Sequence, residues 1–468
     1  MFSKRKGVSE SMKHIFRAYD IRGIWNKDLD PSISLDIGRG LGSFLGKDMG
    51  FKGVALGYDV RTTSKAMEGA IVTGLLSTGI DVLSLGRCSF GTAMMAGWME
   101  GCDASCYITA SHLTPEWNGL KVYYGDGVGF PEENIMAVRD RFLKRDFSVV
   151  EWDGMGKYIH MDYTGKYVEF WKSRYLQALK GGERTGVGVD CGGGSMCLSA
   201  PHVMNALEMD AHLVNCDVDP LFRNRPSEPS PENLVELRNT VLENDLEFGI
   251  AFDGDGDRAV VVDDRGRFLS SDRLGIIIAL DIVNRKGGGL VLANVESSMA
   301  VEDVLLPAGA EVKRIRVGHT FLTLEAKLNN AVFGVEKSGH LIVPEHVLFD
   351  DAMVAPLELL RILNSRGRPL SSFVDDVPQY PSSSRTFDCS DDLKFEIVDR
   401  LREDLMDDFE RVNTMDGVRV DTDAGWVLIR CSNTSPVIRM TVEGRDDASL
   451  SRLTDQFSKR LIEKISGR

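Results

Sequence analysis

The chain has 468 residues, which is more than one hydrophobic core usually holds and indicates three or four domains. Its 43% hydrophobic and 27% charged residues are typical of a soluble globular protein, and the net charge of −15 argues against a nucleic-acid partner held by bulk charge. No stretch of eighteen apolar residues occurs, so no membrane span is expected. Lys4-Arg-Lys6 is not followed by an apolar run and is not a signal peptide. Eight scattered cysteines without a Cys-x-x-Cys pair indicate reduced thiols and a cytoplasmic protein.

Residues 1–157 are expected to form a first α/β domain in which strands and helices alternate. The expected helices lie near 34–48 and 66–79, and the expected strands near 51–56, 80–85, 104–109 and 119–124. The expected strand at 51–56 is followed by the segment Gly57-Tyr-Asp-Val-Arg61. Alternation of this length is typical of βαβ units and of a mainly parallel sheet.

The alternating pattern restarts twice and then changes character. We expect a second domain over 158–267, a third over 268–376 and a smaller α+β domain over 377–468, with the proline- and serine-rich segment 378–384 as the linker. The fold class that follows is α/β, with three similar mixed-sheet domains and a smaller C-terminal α+β domain.

The most informative stretch is Asp253-Gly-Asp-Gly-Asp-Arg258, which follows a strand-like apolar run. Glycines allow the backbone to turn tightly, so three carboxylates can converge on one point, where they repel one another unless a cation lies among them. Oxygen ligands of this kind favour Mg²⁺. A calcium EF-hand loop does not fit, because its sixth position would be Arg258 and its twelfth Asp264. A solvated turn is the alternative interpretation.

Three further loops carry polar residues in unusual density. In the first, a strand delivers Ser111 into a loop with His112, Asn118 and Lys121, although a serine there is more often a cap or turn residue. In the second, Gly334-Val-Glu-Lys-Ser-Gly-His340 places Glu, Ser and His at alternate positions, which would put them on one side of an extended segment, or else forms a polar turn.

The last of the three loops, Arg430-Cys-Ser-Asn-Thr-Ser-Pro-Val-Ile-Arg439, offers hydroxyl, amide and guanidinium groups to an anion, or forms a solvated hairpin. The sequence contains no Gly-x-Ser-x-Gly elbow, no Walker A loop and no Gly-x-Gly-x-x-Gly, so esterase chemistry and nucleotide binding of those kinds have no support.

Together these loops resemble the α-D-phosphohexomutases, especially the phosphomannomutase/phosphoglucomutase branch, over nearly the whole chain. The matching motifs, in order, are Phe16-Arg-Ala-Tyr-Asp-Ile-Arg-Gly23, Thr109-Ala-Ser-His112 with Asn118-Gly-Leu-Lys121, Asp253-Gly-Asp-Gly-Asp-Arg258, Gly334-Val-Glu-Lys-Ser-Gly-His340 and Arg430-Cys-Ser-Asn-Thr-Ser-Pro436. The resemblance implies four domains around a central cleft and an enzyme that interconverts hexose 1-phosphate and hexose 6-phosphate through a phosphoserine and a 1,6-bisphosphosugar.

The resemblance also implies site residues and ligands. The implied catalytic residues are Ser111, His112, Lys121, Arg22, His319 and Arg258. The implied substrate-binding residues are Tyr19, Glu336, Ser338, His340, Arg430, Ser432, Asn433 and Thr434. The implied ligands of Mg²⁺ are Asp253, Asp255, Asp257 and a phosphate oxygen on Ser111. Hexose phosphates are the expected partners, a hexose 1,6-bisphosphate the expected activator, and a monomer or small homo-oligomer the expected assembly.

The sequence departs from the family pattern at three positions. Leu113 and Thr114 stand where an asparagine and a proline are usual, and Val335 stands where a second glycine is common. These changes affect expectations of rate and substrate preference more than of reaction type. Phosphoglucosamine mutase is a further interpretation, although Phe16–Gly23 does not fit its Phe-Gly-Thr-Asp-Gly-type segment. A bisphosphosugar synthase or phosphatase and a non-catalytic sugar-phosphate-binding protein also remain open.

Overall fold

The computed structural model describes residues 12–180, 186–431 and 437–467, apart from the side chains of residues 391 and 392. They form four sheets in chain order, three of them mixed and covered by helices and the last antiparallel. The predicted fold class, three mixed-sheet α/β domains followed by a smaller C-terminal domain, is confirmed. Among the described residues, no helix is both long and apolar enough to cross a membrane.

The first sheet has six strands in the order β1-β5-β4-β2-β3-β6, with β5 antiparallel to both β1 and β4. The strands are β1 (Asp20–Ile24), β2 (Gly53–Tyr58), β3 (Asp81–Arg87), β4 (Ala104–Ile108), β5 (Trp117–Tyr124) and β6 (Tyr158–His160), and the helices are α1 (Pro31–Ser43), α2 (Ser64–Leu76), α3 (Phe90–Met99) and α4 (Glu132–Lys144). Helix α1 begins where Asp30 accepts a hydrogen bond from the Ile33 amide and Pro31 fits the first turn. The loop between β4 and β5 carries Ser111.

The second and third sheets have four strands each, in the orders β10-β9-β7-β8 and β12-β11-β13-β14. The second contains β7 (Gly186–Asp190), β8 (Asp210–Val214), β9 (Phe248–Phe252) and β10 (Ala259–Asp263), with helices α5 (Thr164–Leu179), α6 (Ala200–Ala206) and α7 (Val235–Glu243). The third contains β11 (Gly289–Asn294), β12 (Ala310–Ile315), β13 (Phe333–Val335) and β14 (Leu341–Ile342), with helices α8 (Ser271–Lys286), α9 (Ala300–Leu305), α10 (His319–Asn329), α11 (Val354–Arg366) and α12 (Leu370–Asp376). The aspartate loop joins β9 to β10.

The fourth sheet is antiparallel, in the order β15-β19-β18-β17-β16. Its elements are β15 (Ser382–Asp388), α13 (Asp391–Asp408), β16 (Val412–Asn413), β17 (Val418–Thr422), β18 (Gly425–Cys431), β19 (Val437–Gly444) and α14 (Asp447–Ile465). The predicted linker at 378–384 is wrong over its last three residues, because they begin β15 and pair with β19. The predicted domain boundaries stay predictions, and β6, just beyond residue 157, pairs with β3 of the first sheet.

One continuous apolar core joins the first three domains. It includes Phe90 beside the first sheet, Trp171 on α5, Phe252 on β9 and Val354 on α11, all less than 2% exposed. A smaller cluster of Val295, Met299, Trp426 and Leu428, with partly buried neighbours, joins the third and fourth domains. Because apolar packing of this kind resists sliding, the loops at the ends of these sheets are held at defined distances from one another.

Candidate active site

Ser111 is held in a strained conformation at the end of β4. Its φ is +52°, in the left-handed region that a residue with a Cβ adopts only when its surroundings enforce it. The residue is 3% exposed, and its amide donates to the Thr109 hydroxyl oxygen at 2.8 Å. The Ser111 hydroxyl donates to Asp253 Oδ2 at 3.0 Å, so the serine of the first domain meets the aspartate loop of the second.

The three aspartates do converge. Single oxygens of Asp253, Asp255 and Asp257 lie within 4.8 Å of one another, and all three side chains are buried. Gly254 permits this because a Cβ there would lie 2.6 Å from the Ser111 carbonyl oxygen, and Gly256 has a φ of +83°.

The aspartate loop is anchored to both neighbouring domains through its backbone. The Phe90 amide at the start of α3 donates to the Asp255 carbonyl at 3.1 Å, and the Ala352 amide of the third domain donates to the Gly256 carbonyl at 3.2 Å. The positions of the carboxylates are therefore set by the first and third domains as well as by the second.

Two cations already lie among the carboxylates. Lys121 Nζ, from β5, contacts Asp255 Oδ2 at 2.8 Å and also Asp257 Oδ2, and Arg258 Nη2 lies 2.9 Å from Asp253 Oδ2. Burial and the neighbouring Asp255 and Asp257 raise the pKa of Asp253 to about 7. Burial opposes ionisation of Asp257 too, but Lys121 and other cations outweigh it and hold the pKa of Asp257 well below its usual value.

The loop nevertheless retains capacity for a metal ion. Within the described residues, Asp255 Oδ1 and Asp257 Oδ1 are buried and have no hydrogen-bond partner, and Arg258 Nε lies 3.7 Å from Asp257 Oδ1, beyond hydrogen-bond distance. Orphaned carboxylate oxygens are costly in a buried site, and a divalent cation would satisfy them. The donor set of three carboxylates therefore fits an ion such as Mg²⁺.

His112 lies beside the serine on the open side of the loop. Its Nδ1 is 3.4 Å from Ser111 Oγ and its Nε2 is 3.8 Å from Glu228 Oε2, and Arg258 Nη2 lies 3.6 Å from the same carboxylate oxygen. Burial and the nearby cations Arg258 and Arg22 lower the pKa of His112 to about 2, so the ring is neutral. Arg22 itself, on β1, donates to Asp20 Oδ2 at 2.6 Å.

Two histidines from the third domain complete the polar cluster. His319 Nδ1 lies 3.0 Å from the Tyr123 hydroxyl, and burial together with the cations His340 and Lys121 lowers the pKa of His319 well below its usual value. His340 Nδ1 lies 3.1 Å from Asp350 Oδ2. Burial opposes charge on His340, but nearby carboxylates, Asp257 first and Asp350 next, outweigh it and raise the pKa of His340 to about 9. One neutral and one protonated imidazole thus lie with ring centres 5.5 Å apart.

The segment around Glu336 is not extended. Of the two interpretations left open from the sequence, the polar turn is confirmed, and the arrangement of Glu336, Ser338 and His340 on one side of an extended segment is wrong. The Glu336 amide donates to the His340 carbonyl at 2.9 Å and the Gly339 amide donates to the Glu336 carbonyl at 3.0 Å, which closes a tight turn between β13 and β14. The Glu336 side chain is buried and accepts from the Gly318 amide at 2.6 Å and the Ser338 hydroxyl at 3.3 Å.

Tyr19 lies next to this turn. Its ring is 6.2 Å from that of His319 and packs against Gly318, where a Cβ would approach it to 3.0 Å. Burial and nearby carboxylates, Glu336 among them, raise the pKa of Tyr19. The structure therefore brings the predicted residues Tyr19, Glu336 and His319 into one neighbourhood.

Arg430, at the end of β18, faces acidic groups from two domains. Its Nη1 donates to Asp416 Oδ2 at 3.0 Å, and its Nε lies 3.1 Å from Glu296 Oε1 of the third domain. A bound phosphate would have to compete with these carboxylates for the guanidinium. The predicted residues Ser432, Asn433 and Thr434 lie outside the described residues.

Several residues of the cluster were given no role from the sequence. They are Thr109, Tyr123, Glu228, Asp350 and Arg61. Glu228 carries no local signal, because it meets His112 only when the first and second domains come together, and Asp350 meets His340 and His319 only when the third domain folds. Arg61 did have a signal in the sequence, because it is the last residue of the segment Gly57–Arg61, which follows a predicted strand.

Comparisons with known proteins agree with this arrangement. The sequence matches four domain families described as phosphoglucomutase/phosphomannomutase α/β/α domain I over residues 13–149, domain II over 165–266, domain III over 270–380 and the C-terminal domain over 394–460.

Full-length relatives give the same result. A probable phosphoglucosamine mutase of Methanopyrus kandleri is 34% identical over 97% of this chain and 100% of its own length. A phosphoglucomutase/phosphomannomutase of Thermococcus kodakarensis is 31% identical over 97% of this chain and 100% of its own. The crystal structure of a phosphoglucomutase/phosphomannomutase family protein from Burkholderia thailandensis superposes with a TM-score of 0.86 at 28% identity, covering 97% of both chains. With all four domains matched in order, the chain belongs to the α-D-phosphohexomutase family.

Proposed function

We propose that the protein is a phosphohexomutase that interconverts hexose 1-phosphate and hexose 6-phosphate through phosphorylated Ser111 and a hexose 1,6-bisphosphate. The observation that carries the proposal is the meeting of Ser111, on a strained and buried backbone, with the aspartate loop: its hydroxyl lies 3.0 Å from Asp253 Oδ2 and 3.4 Å from Arg258 Nη2. A nucleophilic oxygen surrounded by positioned charges suits phosphoryl transfer, in which positioning and charge neutralisation supply most of the catalysis.

In the forward reaction, the bond between phosphorus and Ser111 Oγ breaks and a bond to the free sugar hydroxyl forms. The hydroxyl proton passes to a base. In the second transfer the other bond between phosphorus and a sugar oxygen breaks, a bond from that phosphorus to Ser111 Oγ forms, and the base returns its proton to the released sugar oxygen. His319 suits the base because it is neutral, and the tautomer in which Nδ1–H donates to the Tyr123 oxygen would leave a lone pair on Nε2. Lys121, Arg22 and His112 add positive charge or hydrogen bonds around the transferring group.

Mg²⁺ would be held by Asp253, Asp255 and Asp257 together with an oxygen of the phosphorylated serine. When bound, it would supply charge neutralisation at the transferring phosphoryl group. The orphaned oxygens of Asp255 and Asp257 support this assignment, because they are the atoms on which a cation would be expected.

The sugar would lie between the first and third domains, and its other phosphate at the fourth. The residues proposed to bind it are Tyr19, Glu336, Ser338, His340 and Arg430, together with Ser432, Asn433 and Thr434. Glu336 is suited to sugar hydroxyls because its carboxylate is oriented by the Gly318 amide, although burial raises its pKa. A hexose 1,6-bisphosphate would phosphorylate Ser111 and so act as activator. The monomeric or small homo-oligomeric state and the cytoplasmic location remain predictions.

Mannose and glucose phosphates are the substrates suggested by the branch resemblance, and glucosamine phosphate is the second candidate. The relative from Methanopyrus kandleri, 34% identical over its whole length, bears the name probable phosphoglucosamine mutase, whereas the one from Thermococcus kodakarensis bears the name phosphoglucomutase/phosphomannomutase. Both candidates share the reaction and differ only at the second carbon of the sugar, so the same loops serve either.

A coupled mutase assay tests the proposal. The protein would be given Mg²⁺, a trace of glucose 1,6-bisphosphate and, separately, mannose 1-phosphate, glucose 1-phosphate or glucosamine 1-phosphate. We expect turnover that Ser111→Ala abolishes and that Ser105→Ala, a buried serine on the preceding strand, retains.

Each other outcome favours a different function. Turnover of glucosamine 1-phosphate alone would assign the amino sugar as substrate. Phosphate release or accumulation of bisphosphate without isomerisation would favour a phosphatase or bisphosphosugar synthase. Binding of sugar phosphate without labelling of Ser111 would indicate a non-catalytic protein and refute the proposal.

A further inference from the structure

We propose that Arg61 is a positioning residue for phosphoryl transfer, which fixes the backbone of the loop that carries Ser111. The inference rests on the mutase function proposed above. Arg61 closes the segment Gly57-Tyr-Asp-Val-Arg61 after β2, a motif to which the mechanism gives no role. Its guanidinium does not touch the Ser111 hydroxyl; it acts through the backbone.

All N–H groups of the Arg61 guanidinium donate either to one loop or to one carboxylate. Nη2 donates to the carbonyls of Ser111 at 2.8 Å and Leu113 at 2.7 Å, and Nη1 donates to those of Thr114 at 2.6 Å and Trp117 at 3.2 Å. Nε donates to Asp59 Oδ2 at 2.9 Å. A guanidinium has five N–H groups, so none is left over, and the side chain is 0% exposed.

The guanidinium is itself fixed on its other sides. Asp59 accepts from the Arg61 amide at 3.0 Å and from the Ser64 hydroxyl at 2.5 Å, which orients the carboxylate that holds Nε. The ring of Phe222, from the second domain, lies 5.2 Å from Arg61 Cζ. Ser227 of that domain also donates to the loop, 2.6 Å from the His112 carbonyl. The serine loop is thus clamped at its backbone by two domains.

The loop has a physical need for this clamp. The left-handed backbone at Ser111 costs energy that its surroundings must offset, in part through the hydrogen bond from the Ser111 amide to Thr109, and carbonyls in a protein interior are costly when they lack donors. Arg61 donates to four carbonyls of the loop, including that of the strained residue itself. Two of them have a second donor, since the Leu113 carbonyl also accepts from the Ser227 hydroxyl at 2.9 Å and the Thr114 carbonyl from the Trp117 amide at 3.1 Å. All four contacts are to backbone, so they do not depend on Leu113 and Thr114 standing where the family usually has asparagine and proline.

The consequence for catalysis follows from distance. Ser111 Oγ lies 3.0 Å from Asp253 Oδ2, and a displacement of about 1 Å in such a site can cost on the order of 100-fold in rate. Lysine in place of Arg61 keeps the charge but lacks the planar fork, so it cannot serve four carbonyls and Asp59 together. The residues proposed to bind sugar lie on other loops, so their affinity should be retained.

The test compares Arg61→Lys and Arg61→Ala with Arg361→Lys. Arg361 is a matched control because it too is a largely buried guanidinium in ion pairs, with Asp281 and Glu358, in the third domain. For Arg61→Lys we expect kcat about 10- to 100-fold lower with KM within about threefold, and for Arg361→Lys kcat within about twofold of wild type. Added guanidinium should partly restore kcat in Arg61→Ala and not in Ser111→Ala. Hydrogen exchange of the amides of residues 111–117 should be faster in Arg61→Lys and unchanged in Arg361→Lys.

Three results would overturn the proposal: kcat of Arg61→Lys within threefold of wild type, a rise in KM at unchanged kcat, or an equal loss of kcat in Arg361→Lys at the same loss of thermal stability. Absence of turnover by the wild-type protein on every sugar phosphate would instead refute the mutase function. In that case hydrogen exchange would still test the role of Arg61. Unchanged amide exchange over residues 111–117 in Arg61→Lys would show that Arg61 does not order the loop.

Discussion

Lys121→Gln should make the stability of the protein depend on divalent cations. Lys121 is 2% exposed and lies between Asp255 and Asp257, so its loss leaves two buried carboxylates without their main counter-charge. Breaking a buried ion pair in this way costs about 3–5 kcal/mol. Because the first three domains share one core, their entropy of unfolding is large and 1 kcal/mol shifts the midpoint of unfolding by only about 1–2 °C. At the lower figure the midpoint should therefore fall by about 3–6 °C in EDTA.

Added Mg²⁺ should recover much of that loss, because it supplies positive charge to the same oxygens. Thermal unfolding would be followed by circular dichroism in EDTA and in millimolar MgCl₂. Arg361→Gln is the control, since it removes a cation from between Asp281 and Glu358, away from the aspartate loop, and its loss should be equal in both buffers. If Mg²⁺ stabilises Lys121→Gln no more than it stabilises the wild type, the ion does not replace the charge of Lys121 at the aspartates.

Three further predictions concern other parts of the molecule. Burial opposes ionisation of Glu358, but its hydrogen-bonded histidine and arginine neighbours lower its pKa to about 2 from an ordinary 4.5. The ionised carboxylate therefore contributes stability above pH 4.5 that is lost as the pH falls toward 2. Urea titrations should show Glu358→Gln less stable than wild type by about 3 kcal/mol at pH 7 and nearly equal to it near pH 2. Gly254→Ala should lower kcat at least about tenfold because its Cβ would lie 2.6 Å from the Ser111 carbonyl oxygen, whereas Gly69→Ala, which meets no atom within 4 Å, should retain activity; equal kcat values would contradict this. Arg430→Ala should raise KM for hexose 1-phosphate about tenfold, since a hydrogen bond to a charged group contributes about 1.5–3 kcal/mol, and unchanged KM and kcat would remove Arg430 from the phosphate site.

The aspartate loop was predictable because its chemistry is local. Three carboxylates separated by glycines after a buried strand have few ways to avoid converging, whatever the rest of the chain does. The turn at Glu336 was not predictable from alternation, since it depends on Gly339 at a φ of +104° and on a hydrogen bond to the His340 carbonyl. Polar residues can alternate in a strand and in a tight turn alike, so only the backbone hydrogen bonds distinguish the two structures.

Other omissions have a tertiary origin. Helix α3 is buried on nearly every side, so it lacks the polar face by which a helix is usually recognised. Strand β15 is rich in serine and lies at a sheet edge, where apolar alternation is weak. Its sequence therefore resembles that of a linker. Glu228 reaches His112 only across a domain boundary, and Asp350 reaches His340 only through the fold of the third domain. Their roles could not be inferred from neighbours in the sequence.

The charges of the site indicate when a metal ion is needed. In their ionised forms, three aspartates against Lys121 and Arg258 leave one net negative charge. Phosphorylation of Ser111 adds about two more, and a divalent cation would return the total to about one. At about 4 Å and an effective dielectric constant near 20, each added pair of opposite charges contributes on the order of 4 kcal/mol before desolvation, so phosphorylation should tighten Mg²⁺ binding at least about tenfold.

Titration calorimetry on the phosphorylated and dephosphorylated protein would measure this difference, with Ser111→Ala as a form that cannot be phosphorylated there. Equal Mg²⁺ affinity in the two forms would mean that the ion does not share the phosphoryl group with the aspartates. A stronger affinity only when Ser111 carries phosphate would mean that metal and phosphoserine are two halves of one charge-balanced centre, which explains why Lys121 and Arg258 neutralise the carboxylates only in part.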